Sequence, residues 1–264
     1  MSTNNQLRQE PVARSQGLQT GALSPDTISY AAIRKHFARD HDLFGKLERG
    51  RKVLQTNEEL AQYMYSYAPM TERQWSAIYG AMTLPSVDFA VIDYAAGQGL
   101  ATIHLLDRLG ENRKLLNRCT LTDTSGPCLQ RALEVLSIYN DTLEINCFEK
   151  HLDAIEIADL YAGEGDCFVH LFSNIIDVDT FDLPSLLSKV LDKNGFHQLI
   201  AVSPSRNFQG GDTRLHEMSD WLIEANKLEE IKLLDAVRYE TFQDQRWKRH
   251  SLCVARCEVT NGSL

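Results

Sequence analysis

No stretch of this 264-residue chain approaches the ~20 consecutive apolar residues that a membrane-crossing helix needs, so nothing in it reads as a span. The opening residues, Met1 to Ala22, also lack the apolar core of a secretory signal. They are polar and rich in Gln, Ser and Asn, and residues 1–23 read as a disordered tail. Cys-x-x-Cys pairs are missing too. The six cysteines (Cys119, Cys128, Cys147, Cys167, Cys253 and Cys257) lie scattered through apolar segments, and Cys253 and Cys257 have no second pair to complete a metal site. Buried, reduced thiols in a cytoplasmic protein are the expectation, with no metal and no disulfide. Beyond the tail there is no repeat and no low-complexity segment. Nor is there an excess of positive charge: 27 Lys and Arg against 36 Asp and Glu leave a net charge of −9. Such a surface repels phosphate backbones and counts against a nucleic-acid partner. The one basic cluster, Arg246 to His250, reads as the solvated start of a strand.

What is present suits a globular α/β protein. Hydrophobic residues make up 43% of the chain and charged residues 24%, enough to bury a substantial core in one large domain with a modest extension. Residues 24–85 read as a helical extension. Ser24-Pro25-Asp26 has the form of a helix start, and Thr56-Asn57-Glu58-Glu59 opens a second helix with a capping residue and first-turn carboxylates. That helix carries Leu60, Tyr63, Met64 and Tyr67 on one face, and Pro69 is expected to end it; a further helix is expected over Glu72 to Met82.

Residues 86–264 alternate between apolar runs and amphipathic stretches of helical length. Strands are expected at Asp88–Tyr94, Cys119–Thr122, Leu143–Phe148, Cys167–Phe172, His197–Ser203, Ile231–Thr241 and His250–Val259. Helices such as Ala101–Leu109 and Cys128–Tyr139 separate the first five, which implies βαβ crossovers and a parallel sheet covered on both faces. Only Gln243 to Lys248 separates the last two, so they should form an antiparallel hairpin.

The chemistry-bearing segment is Val91-Ile92-Asp93-Tyr94-Ala95-Ala96-Gly97-Gln98-Gly99-Leu100. A buried strand ends in a carboxylate, turns through small residues and enters a helix. Such a turn needs glycines for positive φ and for close approach of a ligand to the backbone. The second strand ends at Thr122-Asp123-Thr124, where a carboxylate can accept hydrogen bonds from two ribose hydroxyls. Read instead as a nicotinamide-dinucleotide fingerprint starting at Gly97, the run places Thr102 where a small residue is required.

These residues resemble the class I S-adenosylmethionine (SAM)-dependent methyltransferases, whose first motif is an acidic residue followed by alternating small positions. Asp93, Ala95, Gly97 and Gly99 match in register, with Ala95 in place of the first glycine. The resemblance covers roughly 88–259. It implies a seven-stranded, mostly parallel sheet ending in a C-terminal antiparallel hairpin, and SAM as cofactor. By the same resemblance, Asp93 and the loop lie by the methionine moiety, Asp123 by the ribose, and Asp153 by the adenine amino group. The fourth strand ends at Ser173-Asn174, which in that family faces the transferable methyl, so these two are the candidate catalytic residues. The run from His170 through Asp177, Ser203-Pro204 and the helix containing Tyr63-Met64-Tyr65-Ser66-Tyr67 are similar to a group of little-characterised bacterial methyltransferase-like proteins, which implies no substrate.

The sequence has no Asn/Asp-Pro-Pro-Tyr for methylating base amino groups. Pro127-Cys128 follows the wrong strand for a cytosine-C5 nucleophile. On the acidic surface, a small-molecule or protein acceptor is expected. The competing expectation is a methyltransferase-like interaction protein whose helical extension is its partner surface. His170, inside an apolar strand, is expected to be a packed, hydrogen-bonded histidine. Asp177, Asp179 and Asp182 are expected to cap the helix beginning near Leu183 rather than to bind metal.

Overall fold

The computed structural model describes residues 6–7, 29–35, 40–79, 82–161, 165–205, 211–243 and 249–260. The Ser24-Pro25-Asp26 start, residues 246–248 of the basic cluster and the tail other than 6–7 lie outside them. Within the tail, Gln6–Leu7 (β1) pairs antiparallel with Phe148 and Cys147.

Helices α1 (Tyr30–Arg34), α2 (His41–Lys46) and α3 (Asn57–Tyr79) come first. Then β2 (Phe89–Tyr94), α4 (Leu100–Leu109), β3 (Leu116–Asp123), α5 (Gly126–Tyr139) and β4 (Glu144–Glu149) build one half of the sheet. A short α6 (Ile157–Leu160), β5 (Cys167–Ser173), α7 (Leu183–Val190), β6 (Gly195–Pro204) and α8 (Gly211–Lys227) build the other. The chain closes with β7 (Lys232–Leu233), β8 (Arg238–Gln243) and β9 (Arg249–Val259). The strand order is β1-β4-β3-β2-β5-β6-β9-β7, with β8 also on β9. Strands β2 to β6 run parallel and β9 is antiparallel to β6 and β8, so the parallel sheet and the closing hairpin are both as expected.

Every residue of β2 is buried, because this central strand is covered on both faces. Phe89 and Val91 join one core with Val169, Leu171, Ile200 and residues of α1, α3, α4 and α5. Ala90, Ile92 and Tyr94 face the other, with Phe168, Phe172 and residues of α7 and α8. Among the described residues no helix is long and apolar enough to cross a membrane.

Two expectations are corrected. Pro69 does not end a helix: α3 is one 23-residue helix with Pro69 inside it. Proline costs an interior helix about 3 kcal/mol through its missing N–H and its clash with the preceding turn. Here Leu60, Met64 and Ala68 before or beside it, and Trp75 and Ile78 after it, share one buried stripe, while the preceding-turn residue Tyr65 lies on the solvent side. Burial of that stripe outweighs the local cost. Secondly, Ile231–Thr241 is not one strand. Between Leu233↔Cys257 and Arg238↔Val254, residues 234–237 stand opposite only Ala255 and Arg256, so the outer strand bulges. Asp235 in that bulge takes the Arg256 guanidinium.

Gly195 opens β6 at φ +140, and a Cβ there would meet the Asp166 carbonyl oxygen at 2.5 Å. Gly195→Ala is expected to cost at least about 2 kcal/mol in denaturant unfolding, combining forbidden φ with a backbone clash. Gly45→Ala serves as the control, since a Cβ there meets nothing within 4 Å and Gly45 lies in helix α2.

Candidate active site

The loop leaving β2 crosses three residues with left-handed backbone: Ala95 at φ 51, Gly97 at φ 54 and Gly99 at φ 72. Ala95 thus holds, at a cost of about 1 kcal/mol, the conformation for which a glycine is the easier choice. The loop is pinned to β3, with Ala96 N donating to Thr122 O at 2.8 Å. A Cβ on Gly99 would meet Ala132 Cβ at 3.1 Å, so this glycine lets α4 approach α5. One on Gly97 would meet nothing within 4 Å, so the backbone there faces open space.

Asp93, at the carboxyl end of β2, is fully buried. Its Oδ2 accepts from Thr102 Oγ1 at 2.8 Å, while Oδ1 has no hydrogen-bond partner among the described residues. Burial pushes its carboxyl up to about 7, against the smaller opposing effect of Thr102. Asp123, one strand over, accepts from Gly97 N at 2.8 Å and from Ser125 N at 2.8 Å. Its pKa is also raised by burial, partly offset by those amides. Asp93, Gly97, Gly99 and Asp123 are therefore gathered at the carboxyl ends of β2 and β3. The sheet reverses its strand order between β2 and β5, the place where open α/β sheets bind ligands.

β4 ends in register with Asp123 at Glu149, whose Oε2 lies where a Cβ on Gly126 would meet it at 2.7 Å. Asp153 stands four residues further on, exposed in a 3-10 turn. Its Oδ1 accepts from Asp182 N at 2.9 Å, fixing the loop before α7. Asp182 itself caps α7, accepting from Ser185 N at 3.0 Å as expected.

Ser173 and Asn174 lie at the end of β5, and both are engaged by α3. Asn174, at φ 59, exchanges two hydrogen bonds with the Gln74 carboxamide, at 2.8 and 3.0 Å. Trp75 Nε1 donates to Ser173 Oγ at 3.2 Å. Gln74 is completely buried and also lies 3.2 Å from His250 Nδ1. Further along the same segment, Gln98 Nε2 donates to Leu60 O at 3.0 Å and Ser125 Oγ to Leu54 O at 2.5 Å. Residues 54–75 thereby span the carboxyl ends of β2, β3 and β5. Tyr63 is the tyrosine beside Asp123, and burial first, then Cys128 and Asp123, push its phenol above the usual range. The Tyr67 ring packs against it at a tilt, with centroids 4.9 Å apart.

Sequence reasoning missed Gln74, Trp75, Thr102 and Glu149. Gln74 carried a usable signal, a polar residue on the buried stripe of α3. The others depend on tertiary contact. All six cysteines are unpaired thiols, and Cys128 near the site is pushed up to about 12 by burial.

His170 is packed and hydrogen-bonded, on the opposite face of the sheet from α3. His197 Nε2 can only donate to Lys193 O, at 2.8 Å. His197 Nδ1 therefore accepts from His170 Nε2 at 2.9 Å, and His170 Nδ1 accepts from Tyr94 O–H at 3.1 Å. Burial holds His197 down to about 4 and His170 well below its usual value. A histidine with a lowered folded pKa contributes stability above the unfolded value near 6.5, and that contribution is lost as pH falls toward 4. Wild type should lose about 2–3 kcal/mol from His197 between pH 7 and 4.5. Gln can keep both hydrogen bonds without titrating, so His197→Gln should show a shallower decline in denaturant unfolding at those two pH values. Asp93, raised rather than lowered, acts with the opposite sign but equally in both proteins. Equal slopes would remove His197 from the account.

No protein-family model matches the sequence, and no curated protein matches it. Solved structures do. A SAM-dependent methyltransferase from Leishmania major superposes at TM-score 0.50 and 13% identity, covering 81% of this chain and 82% of that one. Phosphoethanolamine N-methyltransferase 2 of Haemonchus contortus, bound to phosphomonomethylethanolamine and S-adenosylhomocysteine, gives 0.49 at 11% identity over 81% and 59%. A SAM-dependent methyltransferase from Aquifex aeolicus gives 0.42 at 12% identity over 69% and 88%. At 13% identity the likeness to the Leishmania major protein establishes the fold alone. This chain has the fold of the class I SAM-dependent methyltransferases.

Proposed function

We propose that this chain binds SAM at the carboxyl ends of β2 and β3 and transfers its methyl group to a small-molecule or protein acceptor. The observation that carries the reading is the pairing of Asp123 with the Gly97 amide beside Asp93, whose buried Oδ1 has no hydrogen-bond partner among the described residues. Two carboxylates at adjacent strand ends, with an open glycine backbone between them, suit a ligand that bears ribose hydroxyls and positive charge. In this assignment Asp123 accepts from the ribose, and Asp93 with residues 95–99 attends the methionine end. Of the two carboxylates at and beyond the end of β4, Glu149 shares Asp123's register while Asp153 is committed to Asp182, so Glu149 is the better candidate for the adenine side.

When bound, SAM supplies an electrophilic methyl on a sulfonium centre. The chain's own contribution is proximity, orientation and exclusion of water. Residues 54–75 cover the strand ends, and Ser173 and Asn174, held by Trp75 and Gln74, are the polar groups available to orient an acceptor.

Titration calorimetry with SAM and with S-adenosylhomocysteine is the test. Dissociation constants of about 1–100 μM, or about 5.5–8 kcal/mol, are expected. No heat and no thermal shift at millimolar ligand would leave the fold without this cofactor.

A further inference from the structure

We infer that a groove between α7 and α8, on the sheet face away from α3, docks a basic, amphipathic segment of a protein partner. Helix α8 carries two apolar stripes. Leu215, Met218, Leu222 and Ala225 are buried against the sheet and satisfy its packing. The second stripe holds half-buried Trp221, with Leu228 two turns further on, just past the end of α8, at 61% exposure. Trp221, Leu183 and Leu187 form the apolar floor of an open groove of about 400 Å³. Its rim is acidic: Glu217, Asp220 and Glu224 recur at three- and four-residue spacing along the same side of α8.

The charge of this rim is only partly offset by its surroundings. Arg214, at the near end of α8, spends its guanidinium on the carbonyls of Ile176 and Phe181, both at 3.0 Å. Lys189 on α7 is bonded to the carbonyls of Asp153 and Ile155. Lys227 pairs with Glu224 at 2.9 Å. Among the described residues Glu217 and Asp220 have no ion pair, and both are exposed. An apolar floor beneath uncompensated carboxylates complements apolar side chains flanked by Lys or Arg, and it repels both an acidic partner and a nucleic acid. The aromatic floor adds a surface on which a cation can rest. The groove's lining shares no residue with the glycine loop, Asp93 or Asp123.

The probe is a short helix-forming peptide of leucine and lysine, titrated against the intact protein with tryptophan fluorescence as readout. Trp221→Phe assigns the signal among Trp75, Trp221 and Trp247. The expected result is saturable binding that weakens at least tenfold in the Glu217→Lys, Asp220→Lys double variant and again between about 50 and 500 mM salt. The neutralised Glu217→Gln, Asp220→Asn variant should fall between, and Glu111→Lys, on the other face of the sheet, should bind as wild type does. Circular dichroism checks that each variant folds. The inference is overturned if a leucine–glutamate peptide binds as well, or if the rim variants bind the lysine peptide unchanged. Sedimentation showing a dimer that the double variant dissolves would also overturn it, assigning the groove to a second copy of this chain.

Discussion

Replacing Asp123 with alanine is expected to weaken SAM and S-adenosylhomocysteine binding at least tenfold while the protein stays folded. A carboxylate that holds two ribose hydroxyls contributes on the order of 1.5–3 kcal/mol through charge-assisted hydrogen bonds. The structure adds a second route to the same loss. Asp123 also accepts from Gly97 N and Ser125 N, so alanine releases the glycine loop as well as the ligand. Asp123→Asn separates the two, since its one carbonyl oxygen retains a single amide contact and the negative charge disappears. If the ribose contact dominates, Asp123→Asn should bind nearly as weakly as Asp123→Ala. If loop order dominates, the asparagine variant should fall midway between alanine and wild type. Wild-type affinity in folded Asp123→Ala, measured by calorimetry, would move the ribose contact elsewhere.

Trp75→Ala should have the largest effect on stability of any substitution considered, about 3–5 kcal/mol in denaturant unfolding and a melting temperature lower by roughly 10 °C. Trp75 is fully buried, packs in the core shared by α3 and the sheet, and donates to Ser173. Truncation leaves a cavity at the joint between the extension and the sheet and strips a hydrogen bond from the end of β5. Trp75→Phe keeps most of the packing and should cost only about 1–2 kcal/mol, reporting the hydrogen bond and the smaller volume change. A small loss in Trp75→Ala would mean that α3 is not part of the cooperative unit. A large one would make residues 54–79 integral to the fold they cover.

The fold was legible in the sequence because its signals are local and repeated. Apolar runs of strand length separated by amphipathic stretches dictated parallel crossovers, and a connection of a few residues dictated the final hairpin. Pro69 misled for the same reason that local reasoning usually works. Its cost belongs to the helix alone, whereas the stripe from Leu60 to Ile78 is stabilised by a sheet that only tertiary folding supplies. The bulge at residues 234–237 was equally hidden, because pairing register depends on a partner strand about twenty residues away.

At the site, the division follows backbone against side chain. Asp93, Gly97, Gly99 and Asp123 could be read directly, since strand ends and tight turns impose residue types wherever they occur. What tertiary structure decided is what those residues touch. It placed Glu149 rather than Asp153 in register with Asp123, because β4 pairs with β3 only as far as Glu149. It turned Thr102, a poor residue for a dinucleotide fingerprint, into the partner of a buried carboxylate. And it brought Gln74, 100 residues before Asn174 in the chain, into a reciprocal carboxamide pair with it. No periodicity encodes such a pair, because its energy arises only once two distant segments have been desolvated together.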